Sequence, residues 1–321
     1  MPSPFIETVR SEIRLRGYTL KTEKSYLSWI RQYIYFTNKQ HPKDLGAKEV
    51  KEFLTLLAVE RNVAVNTQKS ALNALVFLYE KVLKMPLGEL GFSLARRQRT
   101  LPLVLSELEV QLTLKHLQGR NRLAIALMYG SGLRVSECLG LRIQDIDFDR
   151  SALRIINAKG HKDRITLLSP RLFETLRTLI DEAIALQSKD NLLDIGPSMP
   201  PALARKYPNA YKTPSWAFIF PSSTTCKHPI SGIICRHHLH PSVIRKALKK
   251  AVNSAGIHKR VNCHTFRHSF ATHMLSNGTD IRTVQDLLGH NDVKTTQIYT
   301  HVIGLHYAGT DSPLNRIDFL D

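Results

Sequence analysis

The sequence predicts a mainly α-helical protein with a small antiparallel β-sheet, arranged as an all-helical N-terminal domain followed by an α+β domain. Three observations predict it. Apolar residues recur at helical spacing through about residue 90. Three short runs between Ile143 and Leu168 alternate like strands. Between these regions, periodicity is lost over a basic stretch that ends at Pro102.

In chain order, Phe5, Val9, Ile13 and Leu15 begin the apolar pattern, and Tyr26, Ile30, Tyr33 and Ile34 continue it. Lys48 to Val59 and Thr67 to Leu83 give two more amphipathic runs with basic polar faces. These runs define a helical domain over 1–92. Residues 93–102, with Arg96, Arg97 and Arg99, read as a linker. The second domain is expected over 103–321. Ser106 caps a helix there, with Glu109 three residues on. Asn121 to Tyr129 forms another helix, and strands follow at Ile143–Phe148, Leu153–Asn157 and Arg164–Leu168. The remainder reads as helical, apart from an irregular Pro-, Ser- and Lys-rich region over about 187–232.

Charge narrows the partners. Lys and Arg outnumber Asp and Glu by 45 to 27, a net charge of +18, which predicts a polyanion such as DNA or RNA. The N-terminus lacks a secretory apolar region, and no run reaches the ~18 apolar residues of a membrane span. No single basic amphipathic helix gathers the charge, as a membrane-surface protein would require. Cys138, Cys226, Cys235 and Cys263 do not make a disulfide framework, so a reducing cytoplasm is expected.

Four motifs carry candidate chemistry. In Tyr129-Gly130-Ser131-Gly132-Leu133-Arg134 two glycines break a helix and Arg134 opens the next, which suits a phosphate oxygen pair. A surface arginine on a helix-helix turn would look the same. Lys159 sits at the tip of a predicted hairpin, with Lys162 and Arg164 beside it. A flexible ammonium there can reach a DNA groove and give up a proton, though a solvated basic turn has the same composition. His264 and Arg267 are three apart and share a helix face, while Phe266, Phe270 and Met274 fall on the buried side. His268 and His273 read as core or supporting hydrogen-bond residues. In Leu288-Gly289-His290-Asn291-Asp292, Asn291 or Asp292 caps the next helix and His290 precedes the cap. Tyr299 lies at the far end of that segment; a lone tyrosine there is ordinarily a packing residue.

Together these pieces form one ordered pattern: Arg134 after a Gly-rich turn, Lys159 in a hairpin, His264-x-x-Arg267, Leu288-Gly289-His290, then Tyr299 nine residues later. In this the sequence resembles the tyrosine recombinase (phage integrase) family, over roughly residues 106–305. The resemblance implies a core-binding (SAM-like) DNA-binding domain in front of an α+β catalytic domain. It implies Tyr299 as the nucleophile that forms a 3′-phosphotyrosine with DNA, without metal, nucleotide or other cofactor. Arg134, Arg267 and either His264 or His290 would donate to the phosphate, His264 would be the base, and Lys159 the proton donor to the leaving oxygen. It further implies a homotetramer on DNA that exchanges C-terminal segments, with residues from about Leu305 onward as the candidate, in a bacterial, nucleoid-associated setting.

A narrower resemblance rests on the insertion at about 190–213, including Pro201-Ala202-Leu203-Ala204-Arg205-Lys206, and on Trp216, Phe220-Pro221-Ser222, Pro229, Arg236-His237-His238 and Ser312-Pro313-Leu314. These are similar to the block specific to integron integrases. That subfamily recombines attI sites with folded single-stranded attC sites of gene cassettes. The resemblance implies that Trp216, Pro229, His237 and His238 hold extruded bases, and that Arg236, Lys162 and Arg164 contact DNA. One departure is Cys235, where the family usually has a first arginine before the His pair.

Other readings compete. A phage- or Xer-type recombinase would act on duplex sites alone, a type IB topoisomerase shares the pocket, and a non-catalytic DNA-binding protein would need no nucleophile. Cys226, His228, Cys235, His237, His238 and His240 have the wrong spacing for the usual zinc motif. Asp145, Asp147 and Asp149 lack a distant acidic partner for a two-metal nuclease and read as solvent-facing edge charges.

Overall fold

A computed structural model describes residues 3–91, 101–156 and 163–299, Pro201 by its backbone only. Most of the expected linker, the turn carrying Lys159 and Lys162, the Ser312-Pro313-Leu314 stretch and the C-terminal segment from Leu305 lie outside the described residues. The chain divides into two compact units, Met1–Arg99 and Thr100–Asp321.

Among the described residues the first unit holds four α-helices: α1 (Pro4–Leu15), α2 (Leu20–Phe36), α3 (Ala47–Thr55) and α4 (Val65–Phe77). The last two continue as widened turns over Leu56–Glu60 and Leu78–Leu83. Val9, Ile13, Ile30, Phe53, Leu54 and Leu75 form the core. In its centre the hydroxyls of Tyr33 and Tyr79 hydrogen-bond to each other at 2.8 Å, which satisfies both phenols away from water. Glu23 of α2 takes a two-pronged hydrogen bond from Arg14 of α1, at 2.8 and 3.1 Å. Leu15 departs from expectation. It lies two residues past Ile13, off the Ile6–Val9–Ile13 stripe, and is 81% exposed.

The second unit begins with α5 (Glu107–Lys115), capped as expected: Ser106 Oγ accepts from Glu109 N at 3.2 Å, and Glu109 accepts from Ser106 N at 2.8 Å. Then come α6 (Gly119–Gly130) and the short α7 (Val135–Leu139). Strands β1 (Ile146–Asp147), β2 (Ala152–Ile155) and β3 (Arg164–Leu167) form an antiparallel meander. The first strand is shorter than expected because Ile143–Asp145 closes into a 3₁₀ turn, with the Asp145 carboxylate accepting from Arg142 N at 2.8 Å. That contact also buries Asp145, so it is not the solvent-facing charge the sequence suggested.

Helix α8 (Phe173–Asn191) leads into the region read as irregular, which is in fact ordered. It contains β4 (Gly196–Pro197), α9 (Pro201–Lys206), 3₁₀ turns at Ala210–Lys212 and Pro214–Trp216, and β5 (Pro221–Lys227). Strand β6 (Ile234–His238) lies between β4, which it meets in parallel, and β5, which it meets antiparallel. The sequence does not mark this second sheet, because β5 carries no branched aliphatic or aromatic side chain and is mostly exposed, so it shows no apolar alternation. Helices α10 (Pro241–Ser254), α11 (Cys263–Ser276) and α12 (Ile281–Leu288) follow. Phe266 and Phe270 are buried on α11, while Met274 is partly buried, close to the expected pattern. No described helix is long and apolar enough to cross a membrane.

Candidate active site

The site is built where four helix ends and one strand meet. Gly132 turns the chain between α6 and α7 with φ +64°; a Cβ there would lie 2.6 Å from the Phe270 ring. This close approach delivers Arg134 to the start of α7. Gly289 ends α12 with φ +63°, and a Cβ there would come within 2.8 Å of Arg164 Cδ. The turn brings His290 back toward α11. Asp292, not Asn291, then caps the next turn by accepting from Lys294 N at 2.9 Å.

Glu137 is the hub. It accepts from the Arg134 guanidinium at 2.6 Å and from Arg134 N at 2.8 Å. Arg164 grips both its oxygens, at 3.1 and 2.8 Å, and Arg267 stands 3.6 Å away. Burial alone would raise the Glu137 carboxyl, but hydrogen bonds from Arg164 and from the Arg134 backbone hold it at about 2. Among the described residues, three guanidinium groups around one carboxylate leave two positive charges in surplus, enough to attract a phosphodiester.

Arg267 is 3% exposed and held by the carbonyls of Gly132 and Leu288, each at 2.6 Å. Burial and neighbouring Arg134 lower its pKa to about 10, which still leaves it charged. It also lies 3.1 Å from His290 Nε2. Because a guanidinium only donates, Nε2 accepts, and the His290 proton sits on Nδ1, directed at Thr296 Oγ1 2.9 Å away. Tyr299 is 3% exposed, and its hydroxyl is 2.9 Å from His268 Nδ1. Its ring stacks on His290 with centroids 6.4 Å apart and an interplanar angle of 18°. Burial raises the Tyr299 phenol, while Arg267 and Arg134 pull the other way. His264 is exposed on the same helix face, its ring 6.3 Å from His268.

The structure thus brings Arg134, His264, Arg267, His290 and Tyr299 into one neighbourhood. Lys159 and Lys162 lie outside the described residues. Arg164 departs from the expected exposed contact: its guanidinium, 7% exposed, is turned inward onto Glu137 and the Leu287 carbonyl. Arg236 departs in the same way. Its side chain is 13% exposed and is taken up by the Asp190 carboxylate and the Ser222 carbonyl. The histidine that meets the Tyr299 hydroxyl is His268 rather than His264. Glu137 was missed, and His268, expected as a core or supporting hydrogen-bond residue, has Tyr299 as its partner. The signals were present: Glu137 stands at the capping position three after Arg134, and His268 is one turn from His264.

A second cluster adjoins the first. A cavity of about 350 Å³ is lined by Arg134, Glu137, Arg142, Leu203, Trp216 and Phe218, among others. The Arg142 guanidinium lies over the rings of Trp216 and Phe218, at 5.3 and 4.1 Å, and donates to the Ser198 carbonyl at 2.8 Å. His237 and His238 have centroids 4.1 Å apart, each within 5.8 Å of Phe218. Pro229 is not part of this cluster. It occupies the β5–β6 hairpin tip, whereas His238 pairs with Pro221 at the other end of the ladder.

Residues 103–304 match the phage integrase family, and residues 5–89 match its N-terminal SAM-like domain. The chain belongs to the phage integrase family. An integrase/recombinase of Escherichia coli is 45% identical over 97% of this chain and 93% of its own length. A tyrosine recombinase of Thermosipho africanus is 30% identical, covering 90% of this chain and 91% of the relative. The fold is shared with a XerH site-specific recombinase bound to its difH substrate (TM-score 0.57, 23% identity, 92% of this chain and 80% of that one). This integrase is a site-specific DNA recombinase of the tyrosine type.

Its imidazoles imply a pH signature. Burial, followed by neighbouring cations or imidazoles, lowers His237, His268 and His290 to about 4 from the ordinary 6.5. Below pH 6.5 the unfolded chain binds protons that the folded recombinase refuses, so stability falls as pH drops through this window and levels off near 4. Denaturant unfolding across this range is expected to show proton uptake on unfolding that reaches two to three protons near pH ~5. Stability independent of pH there would contradict the buried neutral imidazoles.

Proposed function

We propose that Tyr299 attacks the scissile phosphate and becomes joined to the DNA 3′ end. The observation that carries this reading is the meeting of the Tyr299 hydroxyl, His268 and the Arg134/Arg267 pair in one cluster. A phenol raised by burial stays protonated at neutral pH and needs a base. His268 in its Nε2–H tautomer accepts that proton at Nδ1. Arg134 and Arg267 stabilise charge on the non-bridging oxygens, with His264 at the exposed mouth as a further donor. In this pose His290 orients Arg267 and supports the Tyr299 ring. Lys159 protonates the departing 5′ oxygen. The phosphotyrosyl bond conserves the energy of the cut, so a second DNA end reverses it without ATP.

Within this reading, residues 1–92 and 103–321 are the DNA-binding and catalytic domains joined by 93–102. Four protomers assemble on two sites, exchanging segments from about Leu305 onward, in the bacterial cytoplasm on the nucleoid. The substrates are those of an integron integrase: a duplex attI site and a folded single-stranded attC site with extruded bases. Support comes from the cavity of about 350 Å³ reached by both Arg134 and Trp216, within the usual range for a small planar ligand. The neutral rings of His237 and His238 offer stacking surfaces beside it. Trp216→Ala is expected to weaken binding to a bulged hairpin by about 1–3 kcal/mol, roughly 5-fold to 150-fold, and duplex binding far less. Binding isotherms on both substrates at one salt concentration check this. Equal losses would leave a recombinase that acts on duplex sites.

A further inference from the structure

Two cysteines stand opposite each other on the second sheet. Cys226 of β5 and Cys235 of β6 are direct partners in an antiparallel ladder. Residues so paired have Cα atoms ~4.5–5.5 Å apart and project to the same face of the sheet, within the span a disulfide requires. Cys226 is exposed on the edge strand, while Cys235 is buried on the central strand. Burial, with a further push from the Cys226 thiol, raises Cys235 to about 11. Cys138 and Cys263 are buried elsewhere in the unit's main core. The recombination chemistry uses none of these thiols.

From this placement we infer that Cys226 and Cys235 form a reversible thiol–disulfide site that takes a low-molecular-weight disulfide as its oxidant. The accessible Cys226 sulfur, as thiolate, attacks the external disulfide and releases one small thiol. The Cys235 sulfur then displaces the second small thiol from Cys226, forming the cross-strand bond. In balance, two protein thiols and one external disulfide become one protein disulfide and two small thiols. The strand register already places the two residues opposite each other, at a Cα separation compatible with the bond. The bond staples the hairpin whose tip carries Pro229 and whose second strand carries His237 and His238.

The test uses the full chain and oxidised glutathione. Two of the four thiols should disappear, with the mass lower by two hydrogens and a peptide linking positions 226 and 235, all reversed by dithiothreitol. Cys235→Ser should halt the reaction at a glutathione adduct on Cys226, and Cys226→Ser should abolish the cross-link. Amide hydrogen exchange over residues 221–238 should slow in the oxidised protein. Four persisting thiols, a glutathione adduct on the unmutated chain without a cross-link, or a link through Cys138 or Cys263 would overturn the inference. None of these readouts depends on DNA, so they stand apart from the choice between folded and duplex substrates.

Discussion

Tyr299→Phe is expected to abolish the covalent protein–DNA adduct on a suicide substrate while leaving DNA binding within twofold of the parent, ~0.4 kcal/mol. The substitution removes one oxygen from a side chain that is 3% exposed and keeps the ring that stacks on His290. On the proposed reading the phenol oxygen is the atom that bonds to phosphorus, and a phenyl ring cannot supply it. The loss should be on the order of 10⁴-fold or more. The lost hydrogen bond to His268 costs only about 1 kcal/mol of stability, too little to unfold the chain. Gel-shifted adduct after incubation with nicked duplex reports the result. An adduct that persists would place the nucleophile elsewhere.

Glu137→Ala is expected to have the largest effect on stability. Its carboxylate is 8% exposed and faces Arg134, Arg164 and Arg267. Removing it leaves three crowded guanidinium groups with their mutual repulsion and no counter-charge. Breaking a buried ion pair from one side costs about 3–5 kcal/mol. Urea unfolding measures this directly. Glu137→Gln keeps the shape and part of the hydrogen bonding, so it should fold better than the alanine variant and still lose cleavage, since Arg134 loses the charge that orients it. A destabilisation under about 1 kcal/mol for Glu137→Ala would mean that backbone carbonyls, those of Gly132 and Leu288 for Arg267 and that of Leu287 for Arg164, hold the guanidinium groups more than the carboxylate does.

How much was legible differs by element. The helices of the first unit and the α5 capping box followed from periodicity and capping chemistry, which act over three or four residues. The hairpin strands β2 and β3 were marked by alternation, and His264 and Arg267 by their helical spacing. The second sheet was not, because Cys235 and its neighbours on β6 show no clean apolar period and β5 is mostly polar. Arg164 and Arg236 stand in basic motifs that the family resemblance assigns to DNA contact. Which way an arginine turns depends on whether a carboxylate lies within reach, and here Glu137 and Asp190 do.

From the sequence alone came the family, the order of its polar residues and the basic character that calls for a polyanion. All of these are properties of local spacing and composition. Tertiary structure decided which histidine meets Tyr299, that Glu137 gathers three arginines, and that Arg134 and Trp216 share one cavity. Those outcomes depend on residues far apart along the chain meeting where water is excluded. There a charge must find its partner, and no local pattern encodes which one it finds.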